Sequence, residues 1–150
     1  MHNLELTEDK KLRKMYAANI GALFDVKTPT FVPGLEMATL EQTAEYFEVE
    51  EYVIIGLLHC FREELEWNGY INMDKHYVIY DISKEKPEIT SVKGKSIAKF
   101  KNGSLLHIPN RGLRSFDIYG LLYISMLLRN NKIAEAIRKQ LTKERPLIKN

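Results

Sequence analysis

Thr39-Leu-Glu-Gln42 has the form of a capping box. The Thr hydroxyl can accept from the Gln42 amide while the Gln42 side chain reaches back to the Thr39 N–H. Behind it, Leu40, Ala44 and Phe47 fall on one helical face, and Glu48-Val49 leaves room only for a short turn. Glu50 to Trp67 then carries Val53, Ile54, Leu57, Leu58, Phe61 and Leu65 at three- and four-residue spacing, and Asn68-Gly69 supplies a stop. Ala44 is small enough to let the two helices approach, and Val49 is placed to plug the corner between them. The β-rich runs Tyr70–Met73 and Tyr77–Ile82, around Asp74-Lys75-His76, read as a hairpin that follows the helix pair. Helix, turn, helix and hairpin in this order predict a winged helix-turn-helix.

The flanks are read by the same rules. Thr7 with Glu8 and Asp9 predicts a helix running to about Phe24, with Leu12, Met15, Tyr16, Ile20 and Leu23 inward. Lys10, Lys11, Arg13 and Lys14 would form its solvated face, and Pro29, Pro33 and Gly34 an irregular connector. Residues 84–95 are polar and read as a linker. Ser96–Lys101 and Ser104–Ile108 flank Asn102-Gly103, the pair suited to a type I′ hairpin turn. Pro109-Asn-Arg-Gly112 turns the chain, and Asp117 can cap a helix from Ile118 to about Leu128. Asn130-Asn131 starts a last helix with Ile133, Ala134, Ile137 and Leu141 inside and Arg138, Lys139 and Lys143 outside, before a frayed tail over 143–150. The expectation is an α+β protein. Its parts are an N-terminal helix with a winged helix-turn-helix-like lobe over 1–83, a linker over 84–95, and a lobe over 96–144 made of a basic β-hairpin and a C-terminal helix pair.

Several chemistries are disfavoured. Cys60 is the only cysteine, which excludes an intramolecular disulfide and a Cys-rich zinc site and suits a reducing compartment. His2, His76 and His107 lack metal-ligand spacing, and Gly94, Gly103 and Gly112 are isolated turn glycines rather than a phosphate loop. His59 and Cys60, about 100° apart on a helix and flanked by Leu58 and Phe61, suit packing better than a nucleophile–base pair. The apolar run Ile118–Leu128 is too short to span a bilayer, and the N-terminus has no apolar signal segment. These features predict a cytoplasmic, non-enzymatic protein with no cofactor, no metal, no membrane attachment and no small-molecule substrate.

Charge is distributed unevenly behind a net +2. Residues 1–90 hold 9 Lys or Arg against 17 Asp or Glu (−8), and residues 91–150 hold 13 against 3 (+10). Such a reversal points to separate jobs for the two surfaces, the basic one facing nucleic acid and the acidic one a basic partner, or else to two lobes that dock on and neutralise each other. Lys93, Lys95, Lys99 and Lys101 surround the second hairpin, with Arg111 and Arg114 directly after it. Lys95, Lys99 and Lys101 share strand parity, so these six residues are the candidate nucleic-acid contacts. A conventional recognition helix is less well supported. Its N-terminus carries Glu50 and Glu51, and residues 37–67 hold 8 acids and one base, Arg62. Glu50, Glu51, Tyr52 and His59 suit a protein partner instead, and the exposed apolar residues near Tyr52 suit a homodimer.

Tyr119-Gly-Leu-Leu-Tyr-Ile-Ser-Met-Leu-Leu-Arg-Asn-Asn-Lys-Ile-Ala-Glu-Ala-Ile-Arg-Lys-Gln-Leu141, with the preceding Pro109–Phe116 run, resembles a segment of phage antirepressors of the BRO and Rha type. The Met37–Gly69 segment resembles the N-terminal part of regulators from Gram-positive phages and plasmids that carry such a C-terminal piece. Gln140-Leu141 stands where BRO-type domains tend to place a Trp. The resemblance implies a non-enzymatic regulator of transcription in a phage or mobile element, binding DNA, a DNA-binding regulatory protein, or both. A conventional dimeric winged-helix repressor is one alternative. An inhibitor of a host defence or replication protein, its acidic surface imitating nucleic acid, is another.

Overall fold

The computed structural model describes residues 4–147. In chain order they form α1 (Leu4–Glu8), α2 (Lys10–Met15), α3 (Gly21–Val26), β1 (Ala38–Thr39), α4 (Leu40–Phe47), α5 (Glu51–Cys60) and α6 (Arg62–Trp67). They continue as β2 (Tyr70–Met73), α7 (Lys75–Ile82) with a 3-10 turn over Ser83–Glu85, β3 (Glu88–Val92), β4 (Lys95–Lys99), β5 (Leu105–Pro109), β6 (Leu113–Phe116), α8 (Ile118–Leu127) and α9 (Lys132–Thr142). The protein is α+β, with two antiparallel three-stranded sheets ordered β1-β6-β2 and β3-β4-β5.

The expected long N-terminal helix is three short ones. Asp9 leaves helical geometry, and its Oδ1 accepts from the Leu12 N–H at 3.1 Å, so it caps α2, while Thr7 lies inside α1. The second break surrounds Asn19, which is buried. Its Nδ2 donates to the Arg145 carbonyl at 2.8 Å and its Oδ1 accepts from the Leu147 N–H at 2.8 Å. These bonds hold the chain end as far as Leu147, where fraying was expected; residues 148–150 lie outside the described residues.

The helix pair is where the capping box put it. Thr39 Oγ1 accepts from the Gln42 N–H and Gln42 Oε1 from the Thr39 N–H, both at 3.0 Å. Ala44 is buried, Val49 packs on the core and its N–H bonds to the Ala44 carbonyl at 3.0 Å, and Glu48 takes a left-handed φ of 56° to make the corner. The second helix is interrupted at Phe61, whose φ of −125° separates α5 from α6.

The hairpin expected at 70–82 is not formed. Asp74 Oδ1 accepts from the His76 N–H and starts a helix, α7, which buries Val78 and Ile82 one turn apart. β2 pairs instead with β6, Tyr70 opposite Phe116 and Met73 opposite Leu113. The segment 84–95, expected as a linker, holds β3, which pairs with β4 over Glu88↔Lys99 to Val92↔Lys95. The second hairpin is present, with Ala98 opposite Leu106, but its turn is not type I′. The Gly103 N–H bonds to the Phe100 carbonyl, Phe100 N–H bonds to the Ser104 carbonyl, and only Gly103 has positive φ, at 88°. That is a three-residue loop closed by a glycine bulge.

Two cores result. The larger gathers α1–α6 with Phe116, α8 and α9, so the C-terminal helix pair packs among the N-terminal helices. The smaller joins Val32, Leu35, Val78 and Ile82 to the inner face of the second sheet. Asp117 caps α8 and Asn131 caps α9, each accepting at 2.9 Å from a backbone N–H three residues on. Arg138, expected outside, is buried; its Nη1 donates to the carbonyls of Ser125 at 3.0 Å and Leu128 at 2.6 Å, closing the C-terminal end of α8. Among the described residues no helix is long and apolar enough to cross a membrane.

Candidate functional site

In the second sheet, β4 and β5 have one buried face and one open one, while β3 is exposed throughout. Ser96, Ala98 and Phe100, with Leu106 and Ile108, point into the smaller core, so strand alternation turns Lys95, Ile97, Lys99, Leu105 and His107 outward. Lys99 and Lys101 are exposed, Lys93 is exposed in the β3–β4 turn, and Lys95 is half-buried. Among the described residues none of these four lysines is in an ion pair. Of the three lysines expected on one strand face, Lys95 and Lys99 share the outer face, with Glu88 opposite Lys99 in the ladder, whereas β4 ends at Lys99 and Lys101 lies in the following turn.

Arg111 and Arg114 do not extend that strip. They line a groove of about 720 Å³ with His107, and the same groove is lined by Glu41 and Glu45 of α4 and Glu51 of α5. Residues of the two oppositely charged halves therefore meet here; among the described residues Arg111 and Arg114 form no ion pair with the groove's glutamates, and none of the four lysines lines the groove. Both arginines are exposed.

The outward face of α5 is apolar. Tyr52 is 72% exposed, Ile55 is 40% exposed, and Gly56 and His59 continue the face at helical spacing. Glu50 is exposed at the helix start and its side chain makes no capping bond. Glu51, expected with this surface, turns into the groove. Cys60 and His59 are exposed rather than packed.

Sequence reasoning missed a further set of residues. Arg13, expected on a solvated face, is buried against Glu64: Nε donates to Oε2 at 2.7 Å and Nη2 to Oε1 at 2.8 Å. Nothing local marks this pair, since its members stand on α2 and α6. Beside it Lys10, Lys14, Glu63, Glu64, Trp67, Asn68 and Tyr123 line a pocket of about 410 Å³. Burial, with the Glu64 charge adding to it, pushes the Tyr123 hydroxyl up to about 12. Burial does the same to Tyr46, and it lowers the Arg138 guanidinium from its ordinary value. Among the described residues no group of three or more His, Cys, Asp or Glu could hold a metal ion, and His2 lies outside them.

Compared with known protein families, curated proteins and solved structures, the chain matches none.

Proposed function

We propose that this protein is a non-enzymatic regulator of transcription, of the phage antirepressor kind, that acts by macromolecular contact. Its lysine-bearing sheet meets DNA, and its helix pair meets a DNA-binding regulatory protein or a second copy of the chain. The observation that carries the DNA half is the set Lys93, Lys95, Lys99 and Lys101, free of ion pairs among the described residues: Lys95 (half-buried) and Lys99 (exposed) on β4, Lys93 and Lys101 exposed in the turns at its two ends. Unpaired cations neutralise phosphates and release counterions. The helix pair α4–α5 has the layout of a helix-turn-helix. The three glutamates lining the groove beside it disfavour its use as a groove reader. The open face of Tyr52, Ile55, Gly56 and His59 supports the protein contact.

The test is the salt dependence of duplex binding, read by anisotropy of a labelled duplex from low to physiological salt. Four lysine contacts give a slope of log K on log salt near −3.6, and Lys95→Glu with Lys99→Glu reduces it to about −1.8 while weakening binding at every salt. A protein that leaves the duplex unbound at low salt overturns the DNA half of the proposal. So does a slope that ignores the double substitution.

A further inference from the structure

The pocket between α2, α6 and α8 shares no lining residue with the groove. Lys10 and Lys14 stand one helical turn apart on α2, so both ammonium groups lie on the side that lines it. Both are exposed, and among the described residues neither is in an ion pair. Of the two carboxylates at the pocket, Glu64 is committed to Arg13, which leaves Glu63 alone against two lysines. The balance of free charge is one positive.

An aromatic ring also lines the pocket, from α6. Trp67, the only tryptophan in the chain, ends α6 and is 81% exposed. A large apolar ring left this open gives up the packing that most indoles have, yet it borders a concavity rather than a flat surface. A flat π-face beside two free ammonium groups is the pairing that holds an unstacked nucleotide, ring on ring and phosphate on lysine. The volume lies in the range of small-molecule sites. Glu63 adds an acceptor suited to an exocyclic amine of the base.

We propose that this pocket binds a nucleobase with its attached phosphate, the base stacking on Trp67, the phosphate held by Lys10 and Lys14, and an amino group of the base donating to Glu63. The ligand is either a free nucleotide or one residue of a single strand. The site does not depend on DNA binding by the lysine-bearing sheet, and the two are tested by different substitutions.

The experiment titrates the full chain at low salt with AMP, with a short oligodeoxyadenylate and with inorganic phosphate, following the emission of Trp67. Saturable quenching by AMP assigns a free nucleotide, and saturable quenching by the oligonucleotide alone assigns a strand. Phosphate alone leaves the emission unchanged. Lys10→Glu with Lys14→Glu weakens binding roughly tenfold or more, and Trp67→Ala, read by equilibrium dialysis, does so to a similar extent. All three residues are exposed, so these variants keep the fold, which circular dichroism checks. Lys95→Glu with Lys99→Glu leaves the quenching as it was. The proposal is overturned by an emission that neither AMP nor the oligonucleotide changes. It is equally overturned by quenching that phosphate alone reproduces, or that survives the Lys10 and Lys14 substitutions.

Discussion

Replacing Glu64 by Gln removes one charge from a pair that water scarcely reaches. The Arg13 and Glu64 side chains are 5% and 8% exposed, joined by two parallel bonds of 2.7 and 2.8 Å. Arg13 Nη1 also donates to the Leu6 carbonyl at 2.8 Å, so the guanidinium ties α1, α2 and α6 together. Glutamine keeps the shape but presents an NH₂ to one of the two guanidinium donors. The positive charge then stays in the interior without its counter-charge. Breaking a buried pair from one side costs about 3–5 kcal/mol. For a chain of this length each kcal/mol moves Tm by about 2–4 °C, so Glu64→Gln lowers Tm by roughly 6–20 °C. Urea denaturation followed by circular dichroism gives the free energy directly, with the slope m unchanged. The double variant Arg13→Met, Glu64→Leu recovers most of the loss, because neither charge is left behind. A loss below about 1 kcal/mol for Glu64→Gln refutes the reasoning, since exposed pairs lie in that range and the guanidinium would have to be reaching water.

Two further outcomes follow from the same packing. Gly69 has a φ of +122°, and a Cβ there would run into the Asp117 carboxylate that caps α8 and into the Gly120 backbone. Gly69→Ala is therefore expected to cost about 2–4 kcal/mol, read from the urea midpoint. Tyr46 and Tyr123 titrate at about 12 in the folded protein against 10.0 for the free side chain, so the folded state holds their protons more tightly. Their contribution to stability is complete below pH 10 and is lost as pH rises towards 12. The urea midpoint falls across that window, and Tyr123→Phe makes the fall shallower.

What could be read from the sequence was set by interactions that close within a few residues. Thr39, Asp117 and Asn131 each accept from an N–H three residues on, and a motif of that reach is visible in a string of letters. The strand β2 is different, because its partner β6 lies about forty residues later, and the β-rich run Tyr77–Ile82 offered itself as a nearer one. Asp74 as a cap and the one-turn spacing of Val78 and Ile82 were the signals for α7, and the β-propensity of Val, Ile and Tyr outweighed them. β3 was hidden for the opposite reason: all five residues are exposed, so no alternation of burial marks the strand. Arg13 and Arg138 were placed outside because arginine is rarely buried. Only the partners that tertiary packing delivers, a carboxylate 51 positions away and two carbonyls of the preceding helix, make their burial possible.

The charge reversal along the chain does not become two opposed lobes in space. β6, α8 and α9 come from the basic half, yet Phe116, α8 and α9 share a core with the acidic helices, so polarity is sorted locally rather than by half. In the groove, Glu41, Glu45 and Glu51 share a lining with Arg111 and Arg114, so an entering polyanion meets repulsion beside attraction. On the sheet the one carboxylate is Glu88, in the ladder opposite Lys99, while Leu105 and Pro109, the partners of Lys99 and Lys95 on the other side, border the groove. On the proposed reading a ligand of uniform negative charge gains more on the sheet than in the groove. On that reading the contact with DNA therefore falls on the lysines, because the arginines that follow them in sequence stand among the groove's carboxylates.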